Sequence, residues 1–207
     1  RDLGFLPEAL AWDISKETTL WELARNDGAY NQLRLVQAAV QVGQAEEQNF
    51  LTNLKHTDAG VRFWGAVGLT ASSSLTPRAV QALTTALSDT AIDVRIESAD
   101  ALARHGHTKE SVPFLAAALS DANLAAVQHA ARTIELLGER AKSAVPAMRE
   151  CELRMKTIRP PGTSPLVVEP DKDKAMWVLF STEVFLKRFG ETDPDFQPIF
   201  NGKDLTG

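Results

Sequence analysis

The chain has 207 residues, with 27 acidic against 22 basic side chains and a formal net charge of −5. That is enough chain for a sizeable core, without the basic excess that points to nucleic acid or an anionic membrane as partner. The one cysteine, Cys151, excludes an internal disulfide and any multi-cysteine metal site, and no apolar run approaches the roughly 20 residues that span a bilayer.

In chain order, residues 1–30 form a linker-like segment in which Trp12 and Trp21 flank a polar stretch and suit an interdomain contact. "LRLVQAAVQVG", residues 33–43, predicts a helix that packs against the first unit of a repeat. With Val61, Val94 and Ala126 set as equivalent, the repeat spacings are 33 and 32 residues, and the register extends across the whole unit. Eleven residues earlier stand Phe50, Leu83 and Leu115; seven earlier, Leu54, Leu87 and Leu119. Five later come Ala66, Ala99 and Ala131; eight later, Leu69, Leu102 and Ile134; twelve later, Ser73, Gly106 and Gly138. The earlier pair of positions shares one face of a first helix and the later ones share a face of a second, with glycine where a helix C-terminus favours a left-handed residue. Each unit is therefore a helical hairpin, and the small Ala of the second helix lets neighbouring hairpins approach closely.

A fourth unit starts at "KSAVPAMRECELRM" and resumes at "AMWVLFSTEVFLKRFG", which ends in Gly190. Between its helices lies a Pro-rich insertion that cannot be helical, expected as a loop over 159–173, with "DKDK" at 171–174 as a solvated helix start. Trp177, Phe180, Val184 and Phe185 fall at helical spacing and read as the buried face of the last helix.

Two-helix units at a period of about 30 to 47 residues mark an α-solenoid, in which stacking supplies the core that no unit has alone. The stretches "LKHTDAGVRFWGAVGL", "LSDTAIDVRIESADAL" and "LSDANLAAVQHAARTI" resemble short HEAT-like repeats. The expected fold is all-α, a HEAT-like α-α superhelix (solenoid) of about four hairpins over residues 31–190. His56 departs from that repeat pattern, which usually has Asp there, and Val127 stands where the other units have Arg62 and Arg95, so an arginine ladder along the stack would be incomplete.

Both ends carry further resemblances. "RDLGFLPEALAW" followed by "TTLWELARNDGAYNQLRLVQAAV" resembles the segment after the catalytic core of bacterial arylsulfatase-like enzymes, through Leu6, Pro7, Glu8, Glu22, Leu23, Ala24, Tyr30 and Leu33. That resemblance implies a fragment of a longer protein. Its upstream core would hydrolyse sulfate esters of glycans with a formylglycine and a bound calcium, while this chain would hold no cofactor of its own. "FQPIFNGKDLTG", residues 196–207, resembles the opening of the 3-keto-disaccharide hydrolase family through Phe200, Asn201, Gly202, Lys203, Asp204 and Leu205. It implies that the tail, 191–207, begins a following glycan-acting module. A periplasmic or secreted setting is implied by these resemblances alone.

No catalytic residue is assigned, since no Cys-x-Pro-x-Arg or Ser-x-Pro-x-Arg phrase, phosphate loop or nucleophile elbow occurs. No metal ligand is assigned either. His105 and His107 flank Gly106 at a helix end, where the dipole favours histidine without a metal, and His56 and His129 read as isolated turn or helix-surface residues. Arg62 and Arg95 are candidate binding residues for an anionic ligand, because a guanidinium meets planar anions bidentately. Such an Arg more often pairs with nearby carboxylates, here Asp58, Asp89 or Asp93. Trp64 can stack on a partner or fill a gap between units. The expected partner is an upstream catalytic domain or another protein, with neither nucleic acid nor membrane involved. The alternatives are a free-standing interaction scaffold and an enzyme completed by this chain.

Overall fold

The computed structural model describes residues 7–26, 39, 46–164 and 169–190. The phrases at 1–6, 27–38 and 191–207 lie outside the described residues, as does most of the helix expected at 33–43. Of that helix Ala39 alone is described; it is helical and buried against Val61, with Trp64 beside it.

Two helices come first, α1 (Glu8–Glu17) and α2 (Leu20–Arg25). The hairpins come next: α3 (Glu47–Asn53) with α4 (Ala59–Thr70), α5 (Pro77–Ala86) with α6 (Ile92–Arg104), and α7 (Thr108–Ala118) with α8 (Leu124–Leu137). A 3-10 stretch, Gly138–Ala144, leads into the last pair, α9 (Val145–Ile158) and α10 (Pro170–Arg188). The helix starts are written in the sequence. The side chain of Asp58 accepts from the Val61 N–H, Thr76 from that of Ala79 ahead of Pro77 at the first helical position, and Asn123 from those of Ala125 and Ala126. After α6 and α10 the chain turns through Gly106 (φ 93°) and Gly190 (φ 74°), a backbone region that glycine enters without strain.

Each first helix packs on its own second helix, and the second helices α4, α6, α8 and α10 succeed one another in a single layer. In the other layer α3 meets α5 and α7 meets α9. The repeat register is the core: Leu83, Leu115, Val94, Ala126, Leu69 and Ile134 are all inaccessible to solvent. Burial contributes about 1.5–3 kcal/mol for each of the larger side chains. Ala66, Ala99 and Ala131 are equally sealed, as expected where adjacent second helices meet closely. α6 joins the two halves of the core, lending Ile96, Ala99 and Ala103 to one cluster and Val94, Ala101 and Leu102 to the other. Within the first hairpin the approach is closer still. A Cβ on Gly65 would lie 2.8 Å from the Leu54 nitrogen and 2.9 Å from the Phe50 carbonyl oxygen, so only glycine lets α4 seat against the end of α3.

Two expectations are corrected. On α10 the inner face is Ala175, Val178, Ser181, Thr182 and Phe185, whereas Trp177 and Phe180 are about half exposed and Val184 is only half-buried. The insertion expected as a loop over 159–173 is shorter, because Pro170 starts a helix that already includes Asp171, Lys172 and Asp173.

Candidate functional site

At the edge where hairpins join, three arginines do one job. Arg62 forks onto both Asp89 oxygens at 2.7 and 2.8 Å and donates to the carbonyls of His56 and Thr57. Arg95 donates from the equivalent position to the carbonyls of Asp89 and Thr90. In the third unit, where Val127 replaces the arginine, Arg154 arrives from α9 and donates to the carbonyls of Asp121 and Leu119. The ladder therefore has its third rung, supplied by a different helix. Burial pushes the Asp89 carboxyl up, but the hydrogen bonds from Arg62 and from the Ala91 N–H outweigh it and hold it below its ordinary range. The bond with Asp89 in turn raises Arg62.

The layer of second helices carries the other polar cluster. Asp93 on α6 is 3% exposed and accepts from the N–H groups of Ala9 (3.2 Å) and Leu10 (3.0 Å), in the first turn of α1. Asn123 donates from Nδ2 to the Ala9 carbonyl (3.3 Å) and to Asp13 (3.0 Å). Lys174 on α10 pairs with Glu8 and lies 5.6 Å from the centre of the Trp12 ring. α1 thus lies on the second-helix layer, against α6 and α8.

Beneath it, His129 on α8 faces two carboxylates, Asp93 at 3.7 Å and Glu97 at 3.4 Å. This corrects the reading of His129 as an isolated surface residue. Burial disfavours its charged form, but the two carboxylates prevail and hold the pKa up at about 9. Thr70 on α4 donates to Glu97 at 2.9 Å, and the Phe63 ring meets the imidazole edge-on at 6.2 Å. Asp100, one turn along α6, is pushed up to about 6 by burial and by the charge of Glu97, against the opposing pull of Arg104. Both imidazole nitrogens of His129 are turned to carboxylates, so the protonated ring offers no lone pair to a substrate. The cluster is an electrostatic joint between α6 and α8.

The residues singled out by sequence do not converge on one site. Arg62 and Arg95 line the hairpin edge. Trp64 is half-buried on α4, edge-on to Phe63 at 5.6 Å. Trp12 is half-buried against the core, and Trp21 on α2 is 69% exposed with the Arg25 guanidinium 5.4 Å from its ring centre. The ring nitrogens of His105 sit 2.8 and 2.9 Å from the carbonyls of Ala101 and Ser72, which spends them on the backbone, and His107 precedes α7 as its N-cap. Among the described residues no cluster of three His, Cys, Asp or Glu side chains is arranged to hold a metal, and no helix is long and apolar enough to cross a membrane.

Sequence reasoning missed Asp93, Glu97, Asn123, His129 and Lys174 as a group. One signal was available: Asp93, Glu97 and Asp100 follow at spacings of four and three on α6, so three acids share the helix side that also carries Ile96 and Ala103.

Residues 80–152 match the family model for HEAT repeats. The fold is an all-α, HEAT-like α-α solenoid. The match begins inside α5, runs through α6, α7 and α8 and ends within α9. No curated protein matches the chain in sequence. The HEAT repeats matched over 80–152 support a scaffold or interaction region, and the second-helix layer is the face on which α1 lies.

Proposed function

We propose that this HEAT-like stack is the non-catalytic support of a sulfatase-type hydrolase acting on sulfated glycans, in a periplasmic or secreted setting. Its second-helix face holds the polypeptide that enters from the N-terminal side. The observation that carries this reading is the seating of α1. Pro7 and Glu8, which belong to the Leu-Pro-Glu phrase resembling the segment after a sulfatase core, open the helix that Asp93, Asn123 and Lys174 grip. A core joined immediately ahead of that phrase would be held against the stack. Calcium and formylglycine would belong to that core. The resemblance of residues 196–207 to the start of a 3-keto-disaccharide hydrolase domain supports a second glycan-acting module that follows the stack in sequence.

The test is to read the encoding gene upstream of Arg1. An in-frame Cys- or Ser-x-Pro-x-Arg phrase, together with sulfate release by the full protein, supports the reading. An unrelated upstream domain, or a start codon directly before Arg1, overturns it. A second reading, a free-standing protein-interaction scaffold, is favoured by Trp177 and Phe180, which stand 49% and 56% exposed one turn apart on α10.

A further inference from the structure

α1 is bound in the way that a helical ligand is bound. It has ten residues, too few to persist as a helix in water by itself, and its N-cap, Pro7, offers no side-chain acceptor. The missing acceptor comes from the stack. The Asp93 carboxylate takes the N–H groups of the second and third helical residues, the groups that an N-cap side chain ordinarily satisfies. Other positions along α1 are read as well. Glu8, the first helical residue, meets Lys174. Ala9, the second, is 1% exposed, so a larger side chain there would have to displace its neighbours. Trp12, the fifth, lies under the Lys174 ammonium, and Asp13, the sixth, accepts from Asn123. α6, the N-cap of α8 and α10 each contribute one polar side chain to these contacts: Asp93, Asn123 and Lys174. The contacts run to the first two turns, and beyond Ala9 the helix is half-buried or exposed wherever its side chains are described. A helix held by so few deeply buried groups belongs to the part of a structure that opens without global unfolding.

We propose that the face formed by α6, α8 and α10 is a helix-receiving groove in which α1 is the resident, exchangeable occupant. The same groove takes in trans an amphipathic helix of a partner protein, with an acidic residue at its first position, a small one at the second and an aromatic one at the fifth. This rests on the chain's being an interaction region and is independent of the sulfatase assignment.

The test uses the full chain carrying Ala9→Asp, which sets a carboxylate into a sealed slot beside Asp93 and expels the resident helix. A fluorescent peptide with the sequence of residues 7–18 is titrated into this variant and into the unaltered chain, with anisotropy as readout. The proposal expects the variant to bind the peptide about tenfold or more tightly than the unaltered chain, whose groove is filled. It also expects a peptide carrying Ala9→Asp to be rejected and one carrying Trp12→Ala to bind more weakly. A variant that keeps its helical circular dichroism and binds no peptide overturns the proposal. Should the variant not fold, amide hydrogen exchange on the unaltered chain decides. Protection of residues 9–12 about a hundredfold below that of α6 and α8 supports an exchangeable helix, and equal protection overturns it. Failure here would leave the upstream-gene test standing, and a failed sulfatase reading would leave this test unchanged.

Discussion

Replacing His129 by glutamine keeps a donor of similar reach and removes the cation that faces both Asp93 and Glu97. In the folded chain the imidazole titrates at about 9, against 6.5 for an unperturbed histidine. A pKa raised on folding stabilises the protein fully below the unfolded value and loses that contribution as pH climbs through the folded one. The window is therefore pH 6.5 to about 9. The gap corresponds to about 3 kcal/mol, an order-of-magnitude figure for a largely buried group. In a domain of this size that is roughly 10 °C in Tm. The assay is thermal unfolding, followed by circular dichroism, of both proteins at about pH 6 and at about pH 10. His129→Gln should melt lower at the acidic point, and the difference should shrink at the alkaline one. Asp100 adds a slope of the same sign at lower pH. Its raised pKa, about 6 against 3.8, makes the folded state gain stability as pH falls across that interval in both proteins. Equal differences between the two proteins at both pH values would refute the assignment of His129 as a buried imidazolium.

Gly65→Ala should destabilise by about 1–3 kcal/mol, because the new methyl meets the backbone of α3 and not a movable side chain; urea unfolding measures it. Arg154→Met, which keeps the apolar stem and removes the donors to the Asp121 and Leu119 carbonyls, should cost about 1.5–3 kcal/mol in the same assay. Cys151, 3% exposed with its thiol pushed up to about 11 chiefly by burial, should resist a thiol reagent near neutral pH until denaturant is added. Rapid labelling of the folded chain would contradict that environment.

The repeat register was legible because one side of every helix must be buried and the stack imposes the same burial on each unit. Val61, Val94 and Ala126, and Ala66, Ala99 and Ala131, are buried as their spacing requires. The polar joint was hidden because its members belong to different units. His129 meets Asp93 and Glu97 across one repeat, and Ala9 meets Asp93 across 84 residues. No local pattern records such a pairing. α10 misled for a different reason: its aromatic residues divide between two faces, Phe185 buried inward while Trp177 and Phe180 stand about half exposed. Ala175, Ser181 and Thr182 line its inner side with small residues that suit close contact with its neighbours α8 and α9. Val127 signalled a missing rung in the ladder, and nothing in its own unit announced that Arg154 would replace it.

The second-helix face seats α1 through Asp93, and the functional reading depends on that contact. Residue-resolved hydrogen exchange on the full chain, unaltered and carrying Asp93→Ala, tests it most directly. The Ala9 and Leu10 amides should be protected in the unaltered chain and lose that protection in the variant, while α6 and α8 keep theirs. Ala9 and Leu10 amides that exchange freely in the unaltered chain, or stay equally protected without Asp93, would contradict it.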